Sequence, residues 1–142
     1  MTGVSFYILE QETELEKYIF ACKLIEKAYR RGQFSFVLTK DDRQSQIMDD
    51  LLWSFRPGSF IPHDKMPATA KANPPRVLIG KAPATDDQQT LLVNLSEKCP
   101  DMDSQNARII EIIENDETAK AAGRARYKQY QSAGFSIETH RL

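Results

Sequence analysis

Short apolar runs alternate with longer segments of helical periodicity along most of the chain. Runs of branched and aromatic residues occupy positions 4–9, 34–39, 76–80, 91–95 and 107–113. Apolar runs of this length, bounded by polar residues, are typical of strands buried on both faces of a parallel sheet. The sequence therefore predicts five strands, of which the first is central and buried.

The first predicted helix follows residues 4–9 and begins with a capping box. Thr13 is the predicted N-cap, Glu16 lies three residues later, and Gly32 ends the helix after about residue 31. Apolar side chains recur every three to four positions and predict this buried stripe: Leu15, Ile19, Cys22, Ile25 and Tyr29. Strand, helix and strand in this order predict a right-handed βαβ unit.

Two further helices are predicted from capping residues and apolar spacing. The second helix begins at Asp41 or Asp42, and three apolar residues are predicted to face inward: Ile47, Leu51 and Leu52. The third begins at Asn115 or Asp116 and ends near residue 131, just before Gly134. Residues 135–142 are predicted to form a short extended end.

Alternating strands and helices predict the α/β class, as a three-layer sandwich with a mostly parallel, Rossmann-like sheet. The 142 residues are expected to form one domain over positions 1–142. No apolar run approaches the roughly 20 residues that a membrane helix needs, so we expect a cytoplasmic protein. Cys22 and Cys99 are expected to be reduced thiols.

Residues 52–63 combine aromatic side chains with two prolines. Pro57 and Pro62 disfavour regular structure, and Pro57-Gly58 is typical of a turn, so the segment is predicted to be an apolar loop. Its large side chains are Trp53, Phe55, Phe60 and Ile61. They either fold back on the core or bind a partner, and we favour a partner for the loop as a whole. Residues 64–75 are predicted to be a surface linker.

The sequence lacks the usual signals of catalysis and of phosphate binding. The turn after the first strand is Glu10-Gln11-Glu12, which has no glycine and would repel phosphate, and Gly80-Lys81 is not part of a Walker motif. His63 and His140 have no partner at metal-ligand spacing. We therefore predict no P-loop, no cofactor, no metal and no catalytic residue.

The last predicted helix carries a basic stripe. Lys120, Arg124 and Lys128 follow one another at intervals of four residues, and Tyr127 lies beside them. Such a stripe is usually a solvated face, but Gly123 is unusual within a helix and Ile113 is near enough to floor a pocket. Cations around an apolar pocket suit a chain terminus that ends in an aromatic residue. The net charge of −1 argues against a protein that coats nucleic acid over its whole surface.

Several motifs, taken in order, resemble those of one known family. They are Leu52-Trp53, Ser59-Phe60, Pro62-His63, residues 4–9, and residues 124–130 followed by Ala133-Gly134-Phe135. In this order and spacing they make nearly the whole chain similar to the chi subunit of bacterial DNA polymerase III holoenzyme. Residues 64–75 depart from the family in length and composition.

The resemblance implies two protein partners and a non-catalytic accessory role in replication. The acidic, phenylalanine-ended tail of the single-stranded-DNA-binding protein is implied to bind Ile113, Arg124, Tyr127 and Lys128. The psi subunit is implied to bind Trp53, Pro57, Phe60 and Pro62. In the family, the psi subunit also contacts the clamp-loader complex. A helicase-like repair protein can bind the same Trp-to-His segment instead of psi. DNA would be contacted only indirectly.

Two other function classes stay open from the residues alone. A small nucleotide-binding enzyme would use a pocket with convergent polar groups at the carboxyl ends of the parallel strands. A module that binds single-stranded DNA directly would use the basic stripe, with Tyr127 and Tyr130 as stacking surfaces.

Overall fold

The computed structural model describes residues 3–55, 63–65, 77–81, 91–100 and 108–142. The strands in these residues are β1 (Gly3–Ile8), β2 (Ser35–Leu38), β3 (His63–Lys65), β4 (Val77–Gly80), β5 (Leu91–Asn94), β6 (Arg108–Ile113) and β7 (Ser136–Arg141). The helices are α1 (Glu14–Arg30), α2 (Asp42–Ser54) and α3 (Glu117–Ser132).

All described strands form one parallel sheet in the order β3-β4-β2-β5-β6-β1-β7. Helices α1 and α2 pack on one face, where Cys22, Ile25 and Met48 meet inward residues of the central strands. Helix α3 packs on the other face, where Tyr130 joins Phe6 and Phe36. The predicted three-layer α/β sandwich with a parallel sheet is confirmed.

Short polar side chains begin each helix, as their sequence positions predict. Thr13 Oγ1 accepts a hydrogen bond from the Glu16 N–H at 3.3 Å. Asp41 and Asp116 cap α2 and α3 in the same way, with acceptor distances of 2.8 and 3.0 Å. Each bond satisfies a backbone donor that the first helical turn leaves unpaired. After α3 the chain reverses at Gly134, whose φ of +87° favours glycine.

The buried face of α1 differs from the predicted stripe. Cys22 and Ile25 are buried as predicted, but Leu15 is 54% exposed and its prediction as a core residue was wrong. The buried positions also include Tyr18, whose hydroxyl accepts a hydrogen bond from Gln44 Nε2 of α2 at 3.1 Å. The helix packs against α2 as well as the sheet, so its inner face is rotated from the one that apolar spacing alone selects.

The segment predicted as an aromatic loop begins later than expected. Leu52, Trp53 and Ser54 belong to the last turn of α2, and the Phe55 N–H donates to the Leu51 carbonyl at 2.7 Å. The prediction of Trp53 as a loop residue was therefore wrong. Pro57 is compatible with a helix that ends at Ser54, because the helical geometry that proline disfavours in its neighbour is that of the residue directly before it.

The chain also forms strands at both edges of the sheet. Residues 63–65, predicted as the end of a loop and the start of a linker, form β3 beside β4. The predicted extended end forms β7, which pairs in parallel with β1. Neither edge strand has the apolar run of a buried strand, because its outer side has no neighbour in the described part of the sheet.

Two further properties of the described residues concern the length of the helices and the state of the cysteines. None of their helices is long and apolar enough to cross a membrane. Cys22 and Cys99 are free thiols, as predicted, and burial raises the pKa of Cys22 to about 12. Cys22 is therefore a protonated core side chain at neutral pH.

Candidate functional site

Helix α3 is held on the sheet by a buried ion pair that the sequence did not reveal. Arg126 Nε lies 3.1 Å from Glu111 Oε1 of β6, and both side chains are buried. Glu111 Oε2 accepts two more hydrogen bonds, from the Tyr130 hydroxyl at 2.5 Å and from Asn94 Nδ2 at 2.8 Å. Burial raises the pKa of Glu111, while Arg126 and these donors oppose that rise. The network fixes the rotation of α3 about its axis.

Tyr130 cannot serve as a stacking surface for a nucleic acid base. Its side chain is fully buried, in edge contact with Phe6 and Phe135. Burial raises its pKa, so its hydroxyl is a neutral donor to Glu111. The proposed pair of stacking tyrosines for direct DNA binding is thus reduced to Tyr127, and the prediction for Tyr130 was wrong.

A close approach between α3 and β6 explains the glycine in the middle of the helix. A Cβ atom added to Gly123 would lie 2.8 Å from Ile113 Cδ1 and 3.3 Å from Ile113 Cγ1. Any larger residue would push α3 away from the sheet or displace Ile113. The position therefore carries glycine although it costs about 1 kcal/mol of helix propensity relative to alanine.

Beside this contact, α3 and the edge of the sheet enclose a cleft of about 520 Å³. We call it the α3 cleft. Its floor and one wall are apolar: Phe6, Ile8, Ile113 and Tyr127. Tyr127 is 36% exposed, and its ring centroid lies 5.4 Å from that of Phe6. An apolar surface that is open to solvent at one side suits a side chain contributed by a partner.

Positive charge surrounds the α3 cleft. Lys120, Arg124 and Arg141 line it together with one acidic residue, Glu117, which lies 4.0 Å from Lys120. Among the described residues, no carboxylate is within ion-pairing distance of Arg124 or Arg141. These two guanidinium groups are thus available to a negatively charged ligand.

The structure brings together three of the four residues predicted for tail binding. Ile113, Arg124 and Tyr127 line the α3 cleft. Lys128 is exposed outside the cleft lining, on a shallow part of the helix surface with Gln129. Lys128 follows Arg124 by one helical turn, so a ligand that extends beyond the cleft would pass it.

Sequence reasoning missed the residues that β7 and β1 contribute. Phe6, Ile8, Thr139 and Arg141 line the α3 cleft from the sheet side. The alternation of residues 137–141 contains this signal, because every second side chain of a strand faces the same side. This alternation would identify Thr139 and Arg141 as site residues only if the C-terminal end were also predicted to be a strand paired with β1.

A second cleft, of about 620 Å³, lies at the carboxyl ends of the parallel strands, and we call it the carboxyl-end cleft. Among the described residues, five carboxylates and three cations line it: Glu12, Glu14, Glu97, Glu114 and Asp116 against Lys17, Lys40 and Arg126. All three cations are paired, Lys17 with Glu114 at 3.8 Å, Lys40 with Glu97 at 3.7 Å and Arg126 with Glu111. The nucleotide-binding alternative predicts a cleft here, but excess negative charge opposes phosphate binding.

The second predicted partner surface is only partly described. Trp53 is 56% exposed at the end of α2, whereas Phe55 is half-buried against the α1 and α2 side of the core. Leu52, on the inner side of the same turn, is fully buried. Pro57, Phe60 and Pro62 lie outside the described residues.

Comparison with known proteins adds independent information. The family model described as "DNA polymerase III chi subunit, HolC" matches residues 1–138. The DNA polymerase III subunit chi of Pseudomonas aeruginosa is 31% identical over 142 residues, which cover 100% of this chain and 98% of that protein. The proteins of that name from Haemophilus influenzae and Escherichia coli K12 are 26% and 22% identical, over 96% and 98% of this chain and 95% and 97% of their own lengths.

Proposed function

This chain belongs to the DNA polymerase III chi-subunit family and so to the DNA replication machinery, and from this premise we propose a bridging role. In the proposal it is a non-catalytic, clamp-loader-associated subunit in the cytoplasm. It binds the psi subunit through the surface around Trp53. It binds the C-terminal tail of the single-stranded-DNA-binding protein in the α3 cleft.

The observation that carries the proposal is the chemistry of the α3 cleft. An apolar floor formed by Ile8 and Ile113 lies beneath two guanidinium groups, Arg124 and Arg141, that have no carboxylate partner among the described residues. An acidic chain that ends in phenylalanine has the matching chemistry, with a ring for the floor and carboxylates for the cations. Charge-assisted hydrogen bonds of this kind are stronger than neutral ones.

The proposed psi surface rests on fewer described residues. Trp53 is a large aromatic side chain, 56% exposed at the end of α2. Tryptophan is enriched among the residues that dominate binding energy at interfaces. The helix beneath it is anchored by Leu52 and Met48, both fully buried, so the indole is presented from a rigid element.

The two surfaces lie on different layers of the sandwich. Helix α2 packs on the face of the sheet where Cys22, Ile25 and Met48 are buried, and α3 packs on the opposite face. Partners bound at these two helices would therefore not compete for the same side of the sheet. Simultaneous binding would raise the effective concentration of the polymerase assembly at DNA that is already coated by its binding protein.

The bridging role is tested by two variants with opposite expected effects. Trp53→Ala should abolish co-purification with a psi subunit but keep binding of an aspartate-rich peptide that ends in Pro-Phe. Arg124→Met should weaken peptide binding but keep psi. In size-exclusion chromatography, the wild-type chain should carry psi and a tail-bearing protein in one peak. Displacement of psi by the peptide would contradict bridging.

Direct binding of single-stranded DNA is a weaker alternative. Of the two tyrosines predicted for stacking it keeps Tyr127, and it would use Lys120, Arg124 and Lys128 for phosphate contacts. It predicts that a naked oligonucleotide binds as tightly as the protein-coated form. The proposal instead predicts that tight binding to the coated form requires the tail of the coating protein.

A further inference from the structure

We propose that Arg141, at the end of edge strand β7, is a second binding residue for the terminal carboxylate of the ligand in the α3 cleft. In this proposal Arg141 and Arg124 hold the carboxylate from opposite sides of the apolar floor. The inference deepens the proposed function and rests on it. Arg141 would be a specificity-determining residue. It lies beyond the residues that the family model matches and is not part of the basic stripe on α3.

The register of the sheet places Arg141 at the cleft. Strand β7 runs parallel to β1, with Thr139 opposite Phe6 and Arg141 opposite Ile8. Thr139 and Arg141 both line the α3 cleft. His140, between them, stacks on Tyr7 with ring centroids 4.8 Å apart, on the other face of the sheet. The Arg141 side chain is therefore directed to the α3 side by the alternation of a paired strand.

The same register places Arg141 level with Arg124. Ile8 pairs with both Ile113 and Arg141, so these three residues form one row across β6, β1 and β7. Gly123 of α3 packs directly on Ile113, and Arg124 follows it. The row two strand residues earlier contains Phe6, whose ring contacts Tyr127. Two strand residues and one turn of helix both span about 6 Å. Successive turns of α3 therefore lie opposite successive rows of the sheet along the cleft.

The width of the cleft suits a ligand between the two arginines. Ile113 and Arg141 are two strands apart, a lateral distance of about 10 Å. Arg124 is carried by the helix above β6, and Arg141 projects from β7. An apolar side chain that rests on Ile8 would place its own backbone between the two guanidinium groups. A terminal carboxylate has two oxygens and can accept from both.

The other charged residues of the cleft are less suited to this role. Lys120 lies one turn nearer the helix N-terminus and is 4.0 Å from Glu117, which offsets its charge. Arg141 has no carboxylate within ion-pairing distance among the described residues. Lysine also lacks the planar pair of donors that matches a carboxylate. Arg141 is thus the better partner for Arg124.

The test compares two peptides of the same aspartate-rich sequence ending in Pro-Phe, one with a free terminal carboxylate and one with a terminal amide. Binding to the full chain is measured by fluorescence anisotropy. We expect Arg141→Met to weaken the free-acid peptide about fivefold and the amide less than twofold, because only the former carries the carboxylate. The affinity of Arg141→Lys for the free-acid peptide should lie between those of the wild type and Arg141→Met.

Arg43→Met is the matched control, since Arg43 is an exposed arginine on α2, which packs on the other face of the sheet. This variant measures the effect of removing one positive charge far from the α3 cleft. Its affinities for the free-acid peptide and for the amide peptide should equal those of the wild type. Arg141 is itself exposed, so thermal unfolding of Arg141→Met should match the wild type.

Three results would overturn the inference. If Arg124→Met weakens binding but Arg141→Met does not, Arg141 has no role and the tail site itself stands. If Arg141→Met weakens the acid and the amide peptides equally, Arg141 does not hold the terminal carboxylate. If the wild-type chain binds neither peptide, the proposed tail function fails together with the inference.

Discussion

The α3 cleft and the carboxyl-end cleft have similar size and opposite chemistry. The α3 cleft is about 520 Å³ and the carboxyl-end cleft about 620 Å³. In the carboxyl-end cleft, each of the three cations has a carboxylate partner, and carboxylates are in excess. In the α3 cleft, Arg124 and Arg141 have none in the described part of the chain, and the floor is apolar.

The difference shows that position in the fold does not by itself select the binding site. Parallel α/β sheets commonly bind ligands at the carboxyl ends of their strands. Here that location holds cations that already have carboxylate partners, whereas Arg124 and Arg141 of the α3 cleft have none among the described residues. Function in such a sandwich has to be argued from the charges and partners of particular side chains.

The largest expected effect is on stability and comes from the carboxyl-end cleft. Arg126→Met would leave Glu111 buried without its counter-charge, which costs about 3–5 kcal/mol of unfolding free energy. Urea denaturation measures this loss. Arg124→Met, a substitution of the same type two residues away at an exposed position, should change stability by less than about 0.5 kcal/mol. Similar losses in both variants would remove the contrast between the two clefts.

The pH dependence of Arg126→Met follows from the same burial. Burial raises the pKa of Glu111, and without Arg126 a major opposing influence is gone. The folded variant then binds a proton more tightly than the unfolded chain, so its stability falls as pH rises. The difference in unfolding free energy between Arg126→Met and the wild type, measured by urea denaturation, should be smaller at pH 5 than at pH 7. A deficit that is constant with pH would contradict the role of Glu111.

The next effect is on binding and comes from the α3 cleft. Arg124→Met should weaken binding of an aspartate-rich peptide ending in Pro-Phe by about 1.5–3 kcal/mol, the range for hydrogen bonds to charged groups. Isothermal titration calorimetry measures the change. Arg43→Met serves as the charge control. A change within experimental error would remove Arg124 from the site.

A smaller effect should arise where α3 meets the floor of its cleft. Gly123→Ala gains about 1 kcal/mol of helix propensity. It loses about 1–3 kcal/mol through the overlap with Ile113, because the added Cβ would lie 2.8 Å from Cδ1. We expect a net loss of about 1 kcal/mol in urea denaturation, within these ranges.

Removing the Ile113 Cδ1 atom separates overlap from other causes of that loss. In the double variant Gly123→Ala/Ile113→Val the clash is relieved, so Gly123→Ala should become neutral or stabilising in the Ile113→Val background. The coupling energy of the double-mutant cycle would then be favourable. Additive effects would show that the contact does not explain the glycine.

The smallest expected effect is that of a nucleotide on thermal stability, for which we expect no change in Tm. Millimolar ATP with Mg²⁺ should leave the Tm of the wild-type chain unchanged, because Lys17 and Lys40 are already paired and carboxylates dominate the carboxyl-end cleft. Thermal unfolding with a nucleotide titration measures this. A saturable rise in Tm would favour the nucleotide-binding alternative.

Local signals predicted much of the fold. Thr13 was predicted as the cap of α1, and the caps of α2 and α3 were each predicted to within two adjacent residues, of which Asp41 and Asp116 are the caps observed. Such prediction is possible because an N-cap bonds to a residue only three positions away. Leu15 was placed in the core wrongly because burial on α1 depends on contacts with α2, which helical spacing does not encode.

The predicted tail site was incomplete for a similar reason. Ile113, Arg124 and Tyr127 lie on or near one helix, so their proximity could be inferred from spacing. Arg141 joins them only because β7 pairs with β1, more than a hundred residues away in sequence. The burial of Arg126 likewise depends on Glu111 of another element, and arginine is rarely buried unless it is paired.

The most direct test of the account is a calorimetric titration of the purified chain with a short aspartate-rich peptide ending in Pro-Phe. It is made at low and at high salt, with a scrambled peptide as control. The account predicts saturable one-to-one binding that weakens with salt and is lost for the scrambled sequence, because charge and a terminal aromatic side chain are both required. No binding by the folded chain at low salt would contradict the assignment of the α3 cleft as a tail-binding site.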